Sequence, residues 1–507
     1  MKKFLCLLLA GLMLTGVVAC AKPTETPEGE TQESGTKGEV VTEGETADQN
    51  FVCDLPDDLN FGGSTVKILY SKTTGSADEL IPDEAGGVVS DAVHKRNVAV
   101  EEQLKIKFEY FDKPDATQVV TAQKKDIQSG LGDYEIISNG TYLSVQPAME
   151  GNYINLTKLD NINTSKHYWT QGYNDMVTFT DENMQFLASG PIAITMFRYA
   201  YLTIYNKKLF EDYKLNDLYE VVKAGDWTLD YQYDILAGKY VEKDGDGKPS
   251  EEDFYGFVTG DTISVDPYMV ASNLHMVNKD PETGDLRFNS EALAPLVELC
   301  DKVQKIYNDQ STYVYKTATY DDVQHNFIIN HFNNERALMA TTLFLQMELN
   351  FNDLTALTYG IAPMPKLSKA QENYGSYVQD QVSCYGISAV VGDSARQEEL
   401  AAVLEAMAYH SYRLVRPAYY VTALSERYMQ DPQSNEVLDM IFNSLQFDFS
   451  SSCSNIFTGC VIRDNLRPLL SGKSNTISSA TKNWERTIKR TLDTKYNPKL
   501  EDLKNQG

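Results

Sequence analysis

The chain has 507 residues, with 72 Asp and Glu against 45 Lys and Arg, for a formal net charge of −27. A polyanion of this size repels phosphate backbones, and no Lys/Arg stripe offsets the balance, so the composition argues against nucleic acid as a partner.

Met1, Lys2 and Lys3 open a short basic region, Phe4 to Val18 is apolar, and the run closes on Val17-Val18-Ala19-Cys20. It is shorter than the ~20 residues of a spanning helix and ends in small residues, the pattern of a secretory signal. Cys20 at its end completes a lipobox. Residues 1–20 are therefore predicted to be a lipoprotein signal peptide, with lipid attached through Cys20 and the chain held on the extracytoplasmic face of the cell membrane. Residues 21–50 lack aromatic side chains and are rich in Thr, Glu, Gly and Pro. Such a segment buries too little apolar surface to offset the cost of ordering, and its like charges keep it extended, so it is expected to be a disordered acidic stalk.

Beyond Cys6 and Cys20 the cysteines are Cys53, Cys300, Cys384, Cys453 and Cys460. They are too sparse to be the main staple of an exported chain, although Cys453 and Cys460 are near enough in sequence to pair. No Cys-x-x-Cys or His-x-x-x-His spacing occurs, so zinc is not expected.

The elements follow. Thr65–Tyr70 reads as a strand, Val88–Gln103 as a helix with Val89, Val93 and Val100 near helical spacing, and Lys105–Tyr110 as an alternating strand. Thr117–Ser129 reads as a helix and Tyr134–Ile137 as a buried strand, which completes a βαβαβ opening. A parallel sheet of this kind presents ligands to the carboxyl ends of its strands, which directs attention to Ser138-Asn139-Gly140-Thr141-Tyr142.

From there an ordered set of segments accumulates: "YEIISNG", "MEGNYINL", "PIAITMFRYAYLTIYNKKLFEDY" and "GDWTLD", then "VDPYMVASN", "ERALMATTLF", "YGIAPMPK" and "QDQVSCYGISAV". Taken together they resemble the family 1 extracellular solute-binding lipoproteins of ABC importers, in the maltose-binding-protein-like carbohydrate branch, over nearly all of residues 60–500. The resemblance implies an α/β, two-lobed, periplasmic-binding-protein-like clamp of type II with a helical C-terminal part. Residues 60–180 plus 378–430 would form the first lobe and 190–375 plus 431–507 the second. It implies a carbohydrate ligand, an oligosaccharide, trapped in the cleft by hinge closure, and permease subunits of an ABC importer as partners, with the receptor itself a monomer and not an enzyme.

The same resemblance nominates ligand contacts: Asn139, Thr141 and Tyr142 after the third strand, Asp266 and Tyr268 in "DPYM", and Thr342, Phe344 and Leu345 at a cleft-facing helix start. Trp169 stands either on the cleft wall or in the core. Trp227 is expected to pack a helix start capped by Thr228, and Tyr419 and Tyr420 to belong to the core. Asn139 occupies a position where the maltose binder has a tryptophan, which weighs against maltose itself. Separately, Glu242–Asp253 (EKDGDGKPSEED) has acids at loop positions one, three, five and twelve and Gly at six. This is the spacing of a structural calcium loop, with Glu242, Asp244, Asp246, the Lys248 carbonyl, Ser250 and Asp253 as ligands, or else of a polar turn. No other cofactor is expected. A secreted glycosidase and a peptide-binding or adhesive surface lipoprotein are the alternatives. The first lacks a paired-carboxylate pattern at strand ends, and the second does not account for the ordered segments.

Overall fold

The computed structural model describes residues 52–506 apart from 73–75, 84–85, 317–321, 351–358, 422–431 and 458–462. The signal, the stalk, Cys20 and Cys460 lie outside the described residues. The first sheet is built on β1 (Ser64–Ser71), with β2 (Ile106–Lys113) and β3 (Ile136–Gly140) both parallel to it. Parallel neighbours require crossovers, and the helices α1 (Val88–Leu104) and α2 (Ala116–Ser129) supply them. The ends of α2 follow from local chemistry: Asp115 accepts the Gln118 N–H at the start, and Gly130 closes the helix in the left-handed region at φ 67°.

After α3 (Thr141–Met149) the chain leaves this sheet for a second one. Its strands are β4 (Tyr201–Asn206), β5 (Tyr255–Gly260), β6 (Thr312–Tyr315), β7 (Ala337–Leu343) and β8 (Tyr359–Ala362), in the spatial order β6-β5-β7-β4-β8. β5, β6 and β7 run parallel, whereas β4 is antiparallel to both of its neighbours. Every residue of β4, β5 and β7 is buried, as expected of central strands covered on both faces. Gly360 is required where β8 crosses β4, because a Cβ there would stand 2.4 Å from the Tyr205 ring. Between β5 and β6 lie α4 (Pro267–Ala271), which has Pro at its first turn, and α5 (Leu293–Tyr307).

The chain then returns. β9 (Ser383–Ile387) joins the first sheet antiparallel to β3, giving the order β9-β3-β1-β2. The crossing segments are held together, since Ala200 and Val378 form a β-bridge and the Gln379 N–H donates to the Tyr199 carbonyl at 3.0 Å. α6 (Ser394–His410) packs on α1, with Leu400, Val403, Leu404 and Met407 of the first and Val93, Val100 and Leu104 of the second all buried. Each such side chain is worth about 1.5–3 kcal/mol when fully buried. A π-helical turn, Ser411–Val415, leads on to the helix Arg416–Val421. Of the C-terminal helices, Pro432–Asn443 packs on β8, while α7 (Arg463–Leu470) and Ile477–Thr491 pack on α5, all beside the second sheet.

Two smaller expectations hold. The Thr228 side chain accepts the Tyr231 N–H at 3.2 Å at the start of the helix Leu229–Leu236, and fully buried Trp227 donates its indole N–H to the Pro363 carbonyl at 2.8 Å. Tyr419 is buried as anticipated, and Cys53, Cys300, Cys384 and Cys453 are free thiols.

Candidate functional site

α3 begins directly where β3 ends, so its first N–H groups have no partner of their own. They are satisfied by the returning segment: Thr141 N–H donates to the Val382 carbonyl at 2.9 Å and Tyr142 N–H to the Asp380 carbonyl at 3.0 Å. Asp380 thus hangs between the halves, one residue beyond the crossing, with its backbone fixed to the first sheet's helix. Its carboxylate accepts a hydrogen bond from the Arg463 guanidinium on α7, which packs beside the second sheet.

One helical turn on, Arg467 grips Asp266 in a bidentate pair, Nε to Oδ1 at 2.7 Å and Nη2 to Oδ2 at 2.6 Å. Asp266 is held there by its place between a 3-10 turn, Ile263–Val265, and α4. Two carboxylates and two guanidinium groups therefore share one largely buried cluster. Burial, and behind it the Asp266 charge, raises the Asp380 carboxyl to about 6 despite the opposing Arg463 and Arg467. Burial alone would lower the guanidinium of Arg463, but the carboxylates of Asp380, Asp266 and Asp464 together outweigh it and hold the group well up. The half-buried Tyr142 phenol is raised by burial and then by Asp380, which places it within the field of the same cluster. The cavity enclosed by Asp266, Tyr377, Arg463 and Arg467 measures about 10 Å³, room for no more than one water.

Of the nine residues nominated from sequence, Tyr142 and Asp266 meet here. The others are placed differently. Asn139 is buried within β3 and donates its amide to the Ala116 carbonyl at 3.1 Å. Thr141 is buried too, with its hydroxyl against the Val382 carbonyl at 2.8 Å and the Tyr173 phenol at 3.0 Å. Tyr268 is 1% exposed and lies edge-on to Tyr307 at 6.1 Å, on the core side of α4. Thr342 ends the fully buried strand β7, and Phe344 packs against Tyr419 and Phe442 at 6.2 and 5.5 Å. Leu345 beside it is half-buried. Trp169 is 3% exposed and donates its indole N–H to Glu405 at 2.9 Å, walling a different cavity. Asn139, Thr141, Tyr268, Thr342 and Phe344 are core positions, because apolar or hydrogen-bonding neighbours close over them. Asp380, Arg463 and Arg467 were not nominated, and their one signal was the four-residue spacing of the two arginines in Arg463-Asp-Asn-Leu-Arg467.

No family model matches the chain, and no curated protein matches it. Solved structures do. M. tuberculosis UspC is similar at a TM-score of 0.54 and 12% identity, over 84% of this chain and 100% of that one. A sugar transporter from Rhizobium etli in an open conformation gives 0.54 and 12%, over 84% and 99%. A cyclo/maltodextrin-binding protein complexed with maltotetraose gives 0.53 and 13%, over 86% and 99%. The fold is the α/β, two-lobed, periplasmic-binding-protein-like clamp of type II that these structures share. Tyr142 lies on the helix that follows β3 of the first sheet, Asp266 and α7 lie beside the second sheet, and Asp380 lies on the segment that returns from one sheet to the other.

The loop 242–253 gathers three of its six nominated ligands. Carboxylate oxygens of Glu242, Asp244 and Asp246 lie within 4.8 Å of one another, all exposed. Asp246 accepts the Lys248 N–H at 2.7 Å, Asp244 accepts the Asp246 N–H at 3.0 Å, and the Ser250 hydroxyl donates to Asp244 at 3.1 Å. Asp253 stands apart from this group. It is buried and accepts from Lys243 N–H at 2.7 Å, Ser250 N–H at 2.9 Å and the Tyr240 hydroxyl at 3.1 Å. Its carboxylate is committed to tying the loop's two ends, the role that the spacing alone had assigned to a twelfth-position ligand.

Proposed function

We propose that the chain is an extracytoplasmic solute-binding protein that captures a carbohydrate, an oligosaccharide, between its lobes and delivers it to the permease of an ABC importer. The observation that carries this reading is the convergence of Tyr142 from one lobe and Asp266, Arg463 and Arg467 from the other on Asp380 in the connection. Carboxylates and guanidinium groups supply the acceptors and donors that hydroxyls need, and the Tyr142 ring offers a face for C–H groups. With two Asp against two Arg the cluster is charge-balanced, which suits a neutral polyhydroxylated ligand. A sugar does not fit in about 10 Å³, so the lobes must part to admit it and close over it. Binding here is reversible capture, with no bond chemistry.

A glycan library screened by thermal shift tests this, because a ligand of the folded state alone raises the melting temperature. Tyr142→Ala should then weaken the cognate glycan about 5- to 150-fold, the worth of one aromatic and hydroxyl contact. Binding of a peptide and of no glycan would favour the peptide-binding alternative while leaving the fold intact.

The anchor completes the reading: Cys20 carries lipid, and the acidic segment 21–50 holds the clamp off the membrane. Among the described residues no helix is long and apolar enough to cross a membrane. Cys20→Ala should abolish lipid labelling and release the protein from membranes. The gathered carboxylates of Glu242, Asp244 and Asp246 support a structural calcium ion in the loop. If it binds, chelator lowers the melting temperature of the wild type and not of Asp246→Ala.

A further inference from the structure

A second cavity, of about 340 Å³, shares no lining residue with the Asp266–Arg463 cluster. Its walls come from four stretches of chain, 167–172, 191–197, 412–416 and 442–445. The floor is apolar and aromatic: Trp169, Pro191, Met196, Phe197 and Phe442 are all buried. The rim is polar, with Gln171 and Asn443 exposed and Tyr412 and Arg416 half-buried. Tyr412 lies in the π-helical turn Ser411–Val415, a widening of the helix that is common at functional sites.

Among the described residues, Gln171, Asn443 and Arg416 on this rim keep polar atoms to offer. Gln171 uses its amide nitrogen on the carbonyls of Thr164, Lys166 and Trp169 at 3.1, 3.0 and 3.3 Å, which leaves its Oε1 as an acceptor with no hydrogen bond among the described residues. The Asn443 side chain likewise has no hydrogen bond among them. Arg416 has no carboxylate partner among them, and its guanidinium lies 4.9 Å from the Tyr412 ring and 5.9 Å from the Tyr420 ring. Stacking on rings engages the faces of a guanidinium and leaves its N–H edges available. Two acids near the rim are already committed: Glu405, behind Trp169, accepts from the Tyr168 hydroxyl, the Trp169 indole and the Asn163 N–H, and Asp439 accepts from the Tyr420 hydroxyl.

We propose that this cavity is a second ligand site, independent of the capture site above, and that it takes a single hydroxylated ring carrying one carboxylate, a sugar acid of the uronate kind. The volume is at the lower end for ligand pockets and suits one ring. The aromatic floor suits the C–H face of that ring, the Asn443 and Gln171 amides suit its hydroxyls, and Arg416 matches a carboxylate with paired N–H donors. Residues 191–197 run directly into Tyr199 and Ala200 of the crossing, so a ligand seated here rests beside the connection that closure must bend.

The chain has three tryptophans, and the other two, Trp227 and Trp484, are buried away from the cavity. Tryptophan emission of the full chain, titrated with D-glucuronate, D-glucose and benzoate, therefore reports on the site. D-glucuronate should give a saturable change and bind at least about 10-fold more tightly than D-glucose or benzoate, the scale of one charge-assisted hydrogen bond. Trp169→Phe should remove the emission change while calorimetry still registers binding. Arg416→Gln should weaken D-glucuronate about 10-fold or more, and Asn443→Asp, a rim substitution that leaves the packed floor alone, should do the same by placing a like charge beside the ligand. Asp266→Asn should leave the response intact, which separates this site from the capture site. Equal affinity for D-glucose or benzoate, undiminished binding in Asn443→Asp or in folded Arg416→Gln, loss of the response in Asp266→Asn, or no binding of D-glucuronate would each overturn the proposal.

Discussion

Two groups of acids in this protein have the same chemistry and opposite origins. In the loop 242–253, each carboxylate finds its partner within a few residues: Asp244 and Asp246 take backbone N–H groups two positions on, and Asp253 reaches back ten residues to Lys243. In the cluster between the lobes, Asp380 and Arg463 are 83 residues apart and Asp266 and Arg467 are 201. The loop can form in a peptide, whereas the cluster exists only when two lobes and a connection have come together. Local charges are therefore cheap to satisfy and say little about the fold, while the long-range set records how the clamp is assembled.

The strongest way to probe this is to remove the packing under the cluster. Tyr268→Ala empties a buried position beside Tyr307, two residues after Asp266, and should cost about 3–5 kcal/mol in urea denaturation. Next, Arg467→Ala strands the Asp266 carboxylate and should cost about 3 kcal/mol, and adding Asp266→Asn should restore part of that, because the penalty comes from an unpaired buried charge. A double variant no more stable than Arg467→Ala would show that the pair acts through packing alone.

The pH dependence separates buried from local acids by sign. Glu79 is fully buried and accepts from the Thr195 N–H and hydroxyl at 2.7 and 2.5 Å and from the Tyr385 hydroxyl at 3.0 Å, yet burial outweighs these bonds and raises it to about 7. Its unfolded value is near about 4.3, so the folded state holds the proton more tightly. The stability it contributes is present below about pH 4 and is lost as pH rises through about 7. Glu79→Gln should flatten that part of the stability curve. Asp244 behaves in the opposite sense. The Asp246 N–H holds it below its ordinary value, so its contribution is present above that value and is lost as pH falls. The smallest contrast lies within the loop itself. Asp253→Ala should lower the melting temperature more than Asp246→Ala in chelator, because the first ties both loop ends and the second takes one exposed N–H.

Much of the first lobe was legible in the sequence. The strands and helices from Ser64 to Gly140 follow from short periodic runs, and the Thr228 cap and the buried Trp227 follow from a six-residue stretch, because such signals act within a turn or two of chain. Tyr142 could be nominated from its place beyond a strand end, and Asp266 from the resemblance of "DPYM" to a ligand-contacting turn. Nominating Asn139, Thr342, Phe344 and Tyr268 beside them could not distinguish the face turned to the cleft from the face turned to the core, and one position along a strand or a third of a turn along a helix reverses that assignment.

What the sequence determined by itself is the run of elements from Ser64 to Gly140, the acidic balance and the loop that closes on its own backbone. Tertiary structure alone decided that Trp169 lines a second cavity, that Asp266 pairs with Arg467, and that Asp380 meets Arg463. Burial and ion pairing depend on which surfaces are brought together from tens to hundreds of residues away, and no local pattern encodes that distance.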